Sequence, residues 1–414
     1  MKRNNWPLIP LGRCAKFLSG GTPSKARLDF WEGDIPWVSS GEMAESRIHD
    51  TSLRITTEAA EAGSRLVPSK TVLAVVRGMS LAKEFRVSIT QREVAFNQDL
   101  KAFACAPELA PEFLFYALQA QREHIRNLAT EASHGTKKLE TDVLANVQIP
   151  VPPLATQGQV VSILAAYDDL IENNCRRTAL LEESARLLYR EWFVHLRFPG
   201  HEHTRIVDGV PEGWDHRTLE SVCVSDDGIQ TGPFGSQLHQ SDYSEEGVPV
   251  VMPKDLVGFR ISGASIARIP EELADRLGRH RMQPGDTVYG RRGDIGRRAY
   301  IGKRQSGWFC GTGCLRLRPD PAAVNPRYLF DTLGARETAG IIVNRAKGST
   351  MLNLSAGALK SVPLLVAPRK LQDIYAEQVE ELRDMVEVLD EQNQKLRAAR
   401  DLLLPRLMSG ELTV

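Results

Sequence analysis

The sequence predicts an α+β protein made of two similar blocks in tandem, each followed by one long helix. Three observations support this fold class. Two long stretches carry apolar residues at steps of three and four, as in a helix with a coiled-coil seam. Short apolar runs separated by Gly and Pro precede each of these stretches, and such runs are typical of strands and turns. Several short motifs of the first half recur in the same order in the second half.

The first long helix is predicted after a Pro-rich segment, and residues 159–198 contain neither Gly nor Pro. At a rise of 1.5 Å per residue, such a helix would be roughly 60 Å long. A second helix of the same kind is predicted over residues 369–404. A polar seam residue such as Asn174 typically lowers stability but fixes the register of the partner helix. The predicted seam residues are Leu164, Ile171, Asn174, Leu181, Leu188, Val386, Leu389, Asn393 and Leu396.

The two halves match at an offset of roughly 210–215 residues, which is the scale of a whole-domain duplication. The Gly-rich segment 20–24 corresponds to 232–236, and an apolar run at 71–78 corresponds to 286–293, each with an Arg-Gly pair at its end. A single match of this kind is weak evidence, but the common order of all the matches predicts an internal repeat. The predicted division is 1–153 for the first block, 154–200 for the central helix, 201–368 for the second block and 369–414 for the C-terminal helix.

Composition indicates a soluble globular protein of the reducing cytoplasm. The 414 residues are 42% hydrophobic and 25% charged, and no apolar run has the length of a membrane-spanning helix or the form of a signal peptide. Six cysteines over this length are typical of an intracellular protein without a disulfide scaffold. We therefore expect a cytoplasmic protein with no membrane partner.

The net charge of zero is the average of segments with opposite charge. The last long helix is acidic in its first half, whereas Lys and Arg greatly outnumber Asp in residues 276–304. Because salt limits the reach of exposed charges to about 10 Å, a local basic segment matters more for phosphate binding than the average does. The composition is therefore compatible with nucleic-acid binding.

The sequence shows no convincing catalytic or metal-binding motif. Residues 296–304 lack the spacing of a phosphate-binding loop, and Cys310 and Cys314 lack a second pair of zinc ligands, which favours buried strand cysteines. His201 and His203 fall in a turn-rich linker, where solvated side chains are more common than a metal site. A nucleophile elbow, a zinc-protease helix, a dinucleotide fingerprint and an adenine-methyltransferase tetrapeptide are also absent from the sequence. We predict a non-catalytic chain without a cofactor or a metal.

Loops in both halves are rich in side chains that bind nucleic acid. Arg can bind guanine with two hydrogen bonds and Gln can bind adenine, whereas Lys mainly contacts phosphate. A solvated hairpin and an ordinary strand explain the first-half loops equally well, whereas the density of Arg over 291–298 favours phosphate or base contacts. The candidates in the first half are Arg77, Ser80, Lys83, Arg86, Gln91, Arg92, Gln98, His134, Thr136, Lys137 and Lys138. The candidates in the second half are Lys254, Arg291, Arg292, Arg297, Arg298, Arg345, Lys347, Ser349 and Thr350.

Several motifs together match one known family. They include the Gly-rich segment 19–24, the segment 135–139 that leads to a Pro-rich breaker, the end of the first long helix at 189–193, and the closing segment 402–412. In this order the chain resembles, essentially from end to end, the specificity subunits of Type I restriction–modification enzymes. Each motif alone is modest, and their order and duplication make the resemblance specific.

The resemblance implies two target-recognition domains, each reading one half of a split DNA site, and long helices that pair as an antiparallel coiled coil. It also implies two methyltransferase subunits as partners, which bind S-adenosylmethionine and methylate adenine N6, and restriction subunits that use ATP and Mg²⁺. None of these cofactors would be bound by this chain. Because the halves differ in sequence, we expect an asymmetric bipartite site, with a gap set by the length of the helices.

Three other functions are alternatives to this one. A coiled-coil scaffold that binds proteins would not need DNA, but it would leave the basic segment 276–304 without a partner. A single-chain methyltransferase or nuclease would need a motif that the sequence lacks. An orphan specificity subunit of an incomplete system would share all of these features. Salt-sensitive DNA binding tests the first alternative, and methyl transfer or cleavage by the isolated chain tests the second.

Overall fold

The computed structural model of the protein describes residues 6–132, 135–235, 237–263, 266–346, 352–412 and 414. The chain divides into two compact units: unit 1 comprises Met1–Cys175 and Asp390–Val414, and unit 2 comprises Arg176–Leu389. Each unit contains one mixed block and part of both long helices. The predicted α+β class, with two blocks that are each followed by a long helix, is confirmed. The finer four-part division by residue stays a prediction.

The first block consists of short strands and helices separated by turns. Its described strands are β1 (Leu8–Pro10), β2 (Ala15–Ser19), β3 (Ile35–Val38), β4 (Arg47–Ile48), β5 (Arg54–Ile55), β6 (Leu66–Val67), β7 (Val72–Val75), β8 (Arg77–Gly78), β9 (Val87–Thr90), β10 (Val94–Phe96), β11 (Leu100–Cys105), β12 (Thr130–Glu131), β13 (Lys137–Lys138) and β14 (Gln148–Pro150). Its helices are α1 (Leu11–Cys14), α2 (Thr57–Gly63), α3 (Ser80–Lys83), α4 (Pro111–Ala120), α5 (Arg122–Asn127) and α6 (Thr141–Ala145). The long helix α7 (Leu154–Tyr189) follows and continues as a π-helical segment over Arg190–Val194.

The second block has the same character. Its described strands are β15 (Ile206–Val207), β16 (Val210–Pro211), β17 (Asp215–Thr218), β18 (Ile229–Thr231), β19 (Val248–Val251), β20 (Leu256–Val257), β21 (Arg260–Ile261), β22 (Ala267–Ile269), β23 (Thr287–Gly290), β24 (Arg298–Tyr300), β25 (Phe309–Cys310), β26 (Cys314–Leu317) and β27 (Pro363–Val366). Its helices are α8 (Glu271–Arg276), α9 (Pro326–Thr332), α10 (Arg336–Arg345) and α11 (Ala356–Lys360). The second long helix, α12 (Arg369–Met408), completes the fold.

A five-stranded sheet with the order β2-β11-β7-β9-β4 forms the centre of unit 1. Strand β7 is apolar and buried at every position, as expected of a strand covered on both faces. Val72 and Ala74 belong to the core that contains Phe113 of α4. Leu73 and Val75 point to the opposite face and belong to the core of the second sheet, which has the order β5-β3-β10-β6. The alternation of side chains along one strand therefore joins the two cores of the block.

Unit 2 repeats this arrangement around the sheet β18-β26-β23-β24. Tyr289 of β23 belongs to the core that contains Tyr328 and Leu329 of α9. The neighbouring residue Val288 points to the other face, where it shares a core with Val251 of a second sheet, β22-β19-β25. The same two-sided use of one buried strand thus occurs in both blocks.

Matching strand pairs establish the repeat. β1 pairs antiparallel with β14, and β17 pairs antiparallel with β27. The second sheets share a parallel pair, β3 with β10 in unit 1 and β19 with β25 in unit 2. In each central sheet one strand, β11 or β26, lies between the first strand and the buried strand. The predicted internal repeat is confirmed.

A buried glutamine begins each long helix in the same way. The Gln157 side chain accepts a hydrogen bond from the Ala110 amide at 2.9 Å and donates one to the Pro152 carbonyl at 2.8 Å. The Gln372 side chain accepts from the Asn325 amide at 2.7 Å and donates to the carbonyl of residue 367 at 2.6 Å. Each glutamine therefore joins the start of a long helix to the start of the helix inside its block, and it satisfies backbone groups that would otherwise be unpaired.

The long helices run antiparallel. Within unit 1, Arg400 Nη1 donates to Asp168 Oδ1 at 2.6 Å, and Asn174 Nδ2 donates to Asn393 Oδ1 at 3.1 Å. Later residues of α7 therefore meet earlier residues of α12, as the resemblance implied. Asp168 also accepts a hydrogen bond from the Tyr116 hydroxyl at 2.7 Å, which connects the helix pair to α4.

Within unit 2 the helices meet in a cluster of aromatic rings. The Tyr189 ring lies 5.8 Å from that of Tyr375, and Phe193 contacts Tyr375 edge-on at 5.0 Å. Tyr328 of α9 completes the cluster with its ring 4.7 Å from that of Phe193. Burial raises the pKa of Tyr328 to about 12. Large rings at such distances contribute packing energy beyond their buried area, so this cluster fastens the second block to both helices.

Most predicted seam residues lie on the inward side of the pair. Leu164 belongs to the core of unit 1 together with Leu404. Thr178 and Ala185 complete the heptad but were missed, because small side chains do not mark a seam in sequence; they are 5% and 1% exposed. The other predicted seam residues are buried at Ile171, Asn174, Val386, Leu389 and Asn393 and half-buried at Leu181, Leu188 and Leu396.

Replacing Asn174 with Leu is expected to destabilise unit 1 by about 1–3 kcal/mol, because the buried Asn393 amide loses its polar partner. The double variant Asn174→Leu/Asn393→Leu should recover most of this loss, since two apolar groups leave no unpaired seam amide. Urea denaturation of the wild type, both single variants and the double variant measures the coupling. Additive losses in the double variant would show that the two amides do not act as a pair.

Candidate nucleic-acid interface

The two candidate loops of the first half form one surface in unit 1. Strands β12, β13 and β8 make a three-stranded sheet, in which Lys138 is opposite Arg77 and Lys137 is opposite Gly78. The Leu139 amide continues this contact by donating to the Val76 carbonyl at 2.8 Å. We call Arg77, Lys137 and Lys138 the basic edge of unit 1. Two segments that lie far apart in sequence thus present their cations side by side.

The basic edge follows from the end of the buried strand β7. Arg77 is exposed, and Gly78 adopts a φ of +131°, which turns the chain into the single helical turn α3. Leu81 anchors α3 in the core, which leaves Lys83 exposed, and Arg126 Nη1 donates to the Lys83 carbonyl at 3.2 Å. Three further candidates of the first half differ in environment: Ser80 and Thr136 are half-buried, and Arg86 pairs with Glu84 at 3.4 Å.

Gln98 lies at the same end of the sheet. The Val76 amide donates to the Asp99 carbonyl at 2.9 Å, and the Thr22 hydroxyl donates to Gln98 Oε1 at 2.6 Å. A Cβ at Gly20 would approach the carbonyl oxygen of residue 96 to 2.1 Å, so this position of the Gly-rich segment requires glycine. The Gly-rich segment is therefore packed against the turn that presents Gln98.

Gln91 and Arg92 lie elsewhere. In the pairing of β7 with β9, Ile89 is opposite Val72, at the start of β7. Arg77 comes five residues after Val72, so at about 3.3 Å per residue roughly 15–20 Å separates it from the end of the strand near Arg92. Both Gln91 and Arg92 are exposed, but the structure does not bring them to the basic edge.

In unit 2 the arginine-rich loop connects β23 to β24 and is held in the same way. The Leu354 amide donates to the Arg291 carbonyl at 2.8 Å, as the Leu139 amide does in unit 1. Arg292 forms an antiparallel bridge with Asn353, and the Gly293 amide donates to the Leu352 carbonyl at 3.2 Å. The loop is thus attached by backbone hydrogen bonds to the segment 352–354.

The arginines of this loop differ in environment. Arg292 is exposed, and Arg297 is exposed with its Nε donating to Asp294 Oδ2 at 2.7 Å. Arg291 is half-buried, and its Nε has no hydrogen-bond partner among the described residues. Burial, with a smaller contribution from the nearby Arg292, lowers the pKa of Arg291. A guanidinium in such a position would gain from an anion, because an unpaired buried charge is unfavourable.

Arg298 is packed inside unit 2. It is 7% exposed, and its guanidinium lies 4.6 Å from the Phe259 ring and 5.0 Å from the Phe330 ring. Its Nε donates to the Phe330 carbonyl at 3.4 Å, and burial lowers its pKa. These contacts give Arg298 a role in the fold, and its side chain does not share the exposed face of Arg297.

The other candidates of the second half occupy three kinds of position. Arg345 Nη1 donates to the Ala358 carbonyl at 3.3 Å, which ties α10 to α11. Lys254 is exposed in a 3-10 turn, beside Asp255, whose pKa is raised by burial. The predicted contacts His134, Lys347, Ser349 and Thr350 lie outside the described residues.

A hairpin beside the arginine-rich loop was not predicted from the sequence. β20 and β21 pair antiparallel, and their side chains Val257 and Phe259 are 57% and 52% exposed. The hairpin and the loop line one groove of about 490 Å³, to which Asp294, Gly296 and Arg297 contribute. Two exposed apolar residues around Gly258 were the available signal, but the sequence does not show that they adjoin Arg297.

The described residues contain no group of three or more side chains that could hold a metal ion. Cys310 and Cys314 are buried and free, and burial raises the pKa of Cys310 to about 12. Both cysteines lie in strands and are buried, as predicted. His201 and His203 are exposed in a short 3-10 turn. Among the described residues, no helix has the length and apolar character needed to cross a membrane.

Comparison with known proteins places these features in one family. Residues 4–183 match the family described as Type I restriction modification DNA specificity domain. The chain is 24% identical to the Type I restriction enzyme MjaIX specificity subunit of Methanocaldococcus jannaschii, over 99% of this chain and 94% of that protein. It is 29% identical to the EcoR124I/EcoR124II specificity subunit of Escherichia coli, over 39% of this chain and 40% of that protein.

Residues 4–183 thus carry a Type I DNA specificity domain, and the whole chain is similar to Type I specificity subunits. A crystal structure of a Type I restriction–modification S subunit from M. genitalium shares the fold of this chain, with a TM-score of 0.60 and 17% identity over 99% of this chain and 98% of that one. The resemblance seen in the sequence motifs is therefore confirmed.

Proposed function

We propose that this specificity subunit binds double-stranded DNA in a sequence-specific manner, with one block for each half of a bipartite site. The observation that carries the proposal is the repeated attachment of a basic loop in each unit: Leu139 to Val76 in unit 1, and Leu354 to Arg291 in unit 2. Each block thus holds one rigid, cationic loop at the end of its buried strand. Rigid elements that present a few polar side chains are suited to reading base edges.

The two loops carry different side chains, which supports an asymmetric site. Lys138 stands opposite Arg77 in unit 1, whereas Asn353 stands opposite Arg292 in unit 2. Lys contacts phosphate, while Arg and Asn form two-point contacts with guanine and adenine, respectively. The two half-sites therefore differ in sequence. The length of the long helices sets the gap between the half-sites.

The chain acts as a non-catalytic member of a larger complex. Two methyltransferase subunits supply S-adenosylmethionine and the methylation of adenine N6, and restriction subunits supply the reactions that need ATP and Mg²⁺. Exposed apolar residues along α7 support docking of these partners on the helices: Ile163 and Leu170 in unit 1, and Leu180 and Leu187 in unit 2. Spacings of seven residues place each pair on one side of the helix. The complex works on DNA in the cytoplasm.

A map of N6-methyladenine in the host genome, with and without this gene, tests the proposal. We expect a split motif that disappears on deletion and returns when the gene is supplied on a plasmid. The map would also give both half-sites and the gap. An unchanged map in a strain that expresses the chain together with its methyltransferase partners would contradict the proposal and favour a scaffold or an orphan subunit.

Arg292→Ala is expected to weaken binding of the assembled complex to its DNA site by about 1–3 kcal/mol if the guanidinium contacts a base. A phosphate contact would instead reduce the slope of log affinity against log salt by roughly one. Titrations at three salt concentrations distinguish the two cases. Arg217→Ala, which removes an exposed arginine from β17 in the same unit, is the matched control. Equal affinities of the wild type and both variants at every salt concentration would remove Arg292 from the interface.

A further inference from the structure

The hairpin β20-β21 has an unusual residue at its tip. Leu256 pairs with Ile261 and Val257 pairs with Arg260, which leaves a two-residue turn. Gly258 and Phe259 have φ angles of +56° and +62°, as in a type I′ turn. Gly, Asn and Asp are favoured at such positions, whereas a bulky residue is strained there. Because Phe259 is 52% exposed, burial does not offset this strain. Strain of this kind is concentrated at functional sites.

The ring of Phe259 packs against a buried side chain of unit 2. The buried Arg298 guanidinium lies 4.6 Å from the ring, and Arg298 is itself fixed by the Phe330 carbonyl. On the inner side of the hairpin, Leu256 is 2% exposed in the core of unit 2. The Arg260 Nε lies 3.4 Å from a carboxylate oxygen of Glu182 on α7. The turn is therefore a fixed platform that presents an apolar ring to solvent.

The platform stands beside an oriented arginine. Val257, Phe259 and Arg297 line the same groove, and the Asp294 carboxylate accepts a hydrogen bond from Arg297 Nε at 2.7 Å. This bond occupies Nε, and the terminal nitrogens of Arg297 form no hydrogen bond with any residue that the structure describes. Terminal nitrogens of Arg bind guanine O6 and N7 in the major groove, and Phe contacts the methyl group of thymine. The groove combines both chemistries.

We propose that the turn Val257–Phe259 is a base-reading element, in which the apolar side chains contact a thymine methyl group next to the base pair bound by Arg297. The inference rests on the proposed function and assigns a part of the second half-site to named residues. DNA is the occupant that the charges favour, because exposed Arg297 lines the groove, exposed Arg292 belongs to the same loop, and Asp294 is already paired. A protein partner seated on the same groove is an outcome that the experiments below separate.

Phe259→Asn tests the turn without disturbing its backbone. Asn is favoured at a positive φ, so the variant should melt at the same temperature as the wild type or above it. In cells that lack the wild-type gene, we expect the N6-methyladenine map of this variant to lose discrimination at one position of one half-site, with about fivefold slower modification. Discrimination in the other half-site should not change. Val207→Asn, on the exposed hairpin β15-β16 of the same unit, is the matched control.

A second experiment removes the proposed contact from the DNA. Each thymine of the mapped site is replaced in turn by uracil, which lacks the methyl group but keeps the base pair. The complex with its methyltransferase subunits should bind one of these duplexes about fivefold more weakly, and Phe259→Asn should show no further loss on that duplex. The inference would be overturned if no thymine of the half-site proved sensitive to loss of its methyl group. It would also be overturned if the uracil duplex weakened binding of Phe259→Asn as much as it weakens binding of the wild type. The inference would also be overturned if Phe259→Asn lost an interaction with a protein subunit while its DNA preference stayed the same as that of the wild type.

The two proposals fail in different ways. If the wild-type chain directs no split motif, the proposed function falls and this inference falls with it. If the wild type directs a split motif and Phe259→Asn leaves its sequence and its rate of modification unchanged, the inference alone is refuted.

Discussion

Replacing Asp286 with Ala is expected to lower the free energy of unfolding of unit 2 by about 3–5 kcal/mol. Asp286 is 1% exposed and accepts two hydrogen bonds from Arg318, each 2.8 Å long. Arg316, which is also 1% exposed, has its Nη1 4.0 Å from the same carboxylate. Removal of the carboxylate leaves a buried guanidinium without its counter-charge, and this loss exceeds that of the hydrogen bonds alone.

Hydrogen exchange under native conditions measures this effect at the amides of β23 and β26, which are close to Asp286. Asp294→Ala is the matched control, because that carboxylate is 65% exposed and its ion pair with Arg297 lies at the surface. Exposed pairs of this kind contribute at most about 1 kcal/mol. Similar losses in the two variants would show that burial of Asp286 has no special effect on stability.

Neutralising the basic edge of unit 1 is expected to abolish recognition of one half-site. The triple variant Arg77→Ala/Lys137→Ala/Lys138→Ala removes three neighbouring cations, and among the described residues neither Arg77 nor Lys137 forms an ion pair. Loss of three phosphate contacts should reduce the slope of log affinity against log salt by roughly 2–3. We expect the split motif to disappear from the N6-methyladenine map of cells that carry this variant.

Arg92→Ala provides the comparison, because this exposed arginine lies beyond the opposite end of β7. This variant should leave the methylated motif unchanged. It should change the slope of log affinity against log salt by less than one. Circular dichroism and melting curves of both variants confirm that the fold is retained. If Arg92→Ala had the larger effect on DNA binding, the surface that faces DNA would have to be reassigned to the start of β7.

Long-range regularities of the fold were predictable from sequence because they repeat. The heptad that carries Ile171 and Asn174 extends over many turns, and the motif order extends over both halves, so local exceptions do not obscure either pattern. The buried amide of Asn174 also behaves as a polar seam residue should, since it pairs with Asn393. Thr178 and Ala185 were not predicted because a small or polar side chain does not continue the pattern of large apolar residues that marks a seam.

The candidate site was less predictable because strand register and burial decide it. Arg297 and Arg298 are neighbours in sequence, yet one is exposed and the other is packed against Phe330, which comes 32 residues later in the chain. Arg77 and Arg92 are separated by the pairing of β7 with β9, which the sequence does not specify. The hairpin with Phe259 joins the site through a groove that only a folded chain contains.

The attachment of each basic loop has a consequence for how such proteins change over time. In both units the loop is held by main-chain donors and acceptors, and a buried leucine, Leu139 or Leu354, is the side chain next to that contact. Main-chain hydrogen bonds are available to nearly every amino acid, so they do not restrict which side chains the loop displays. Selection can therefore alter the exposed residues of one loop while its shape persists. If these loops read DNA as proposed, a new DNA preference can arise by a few substitutions, without a redesign of the framework that presents it.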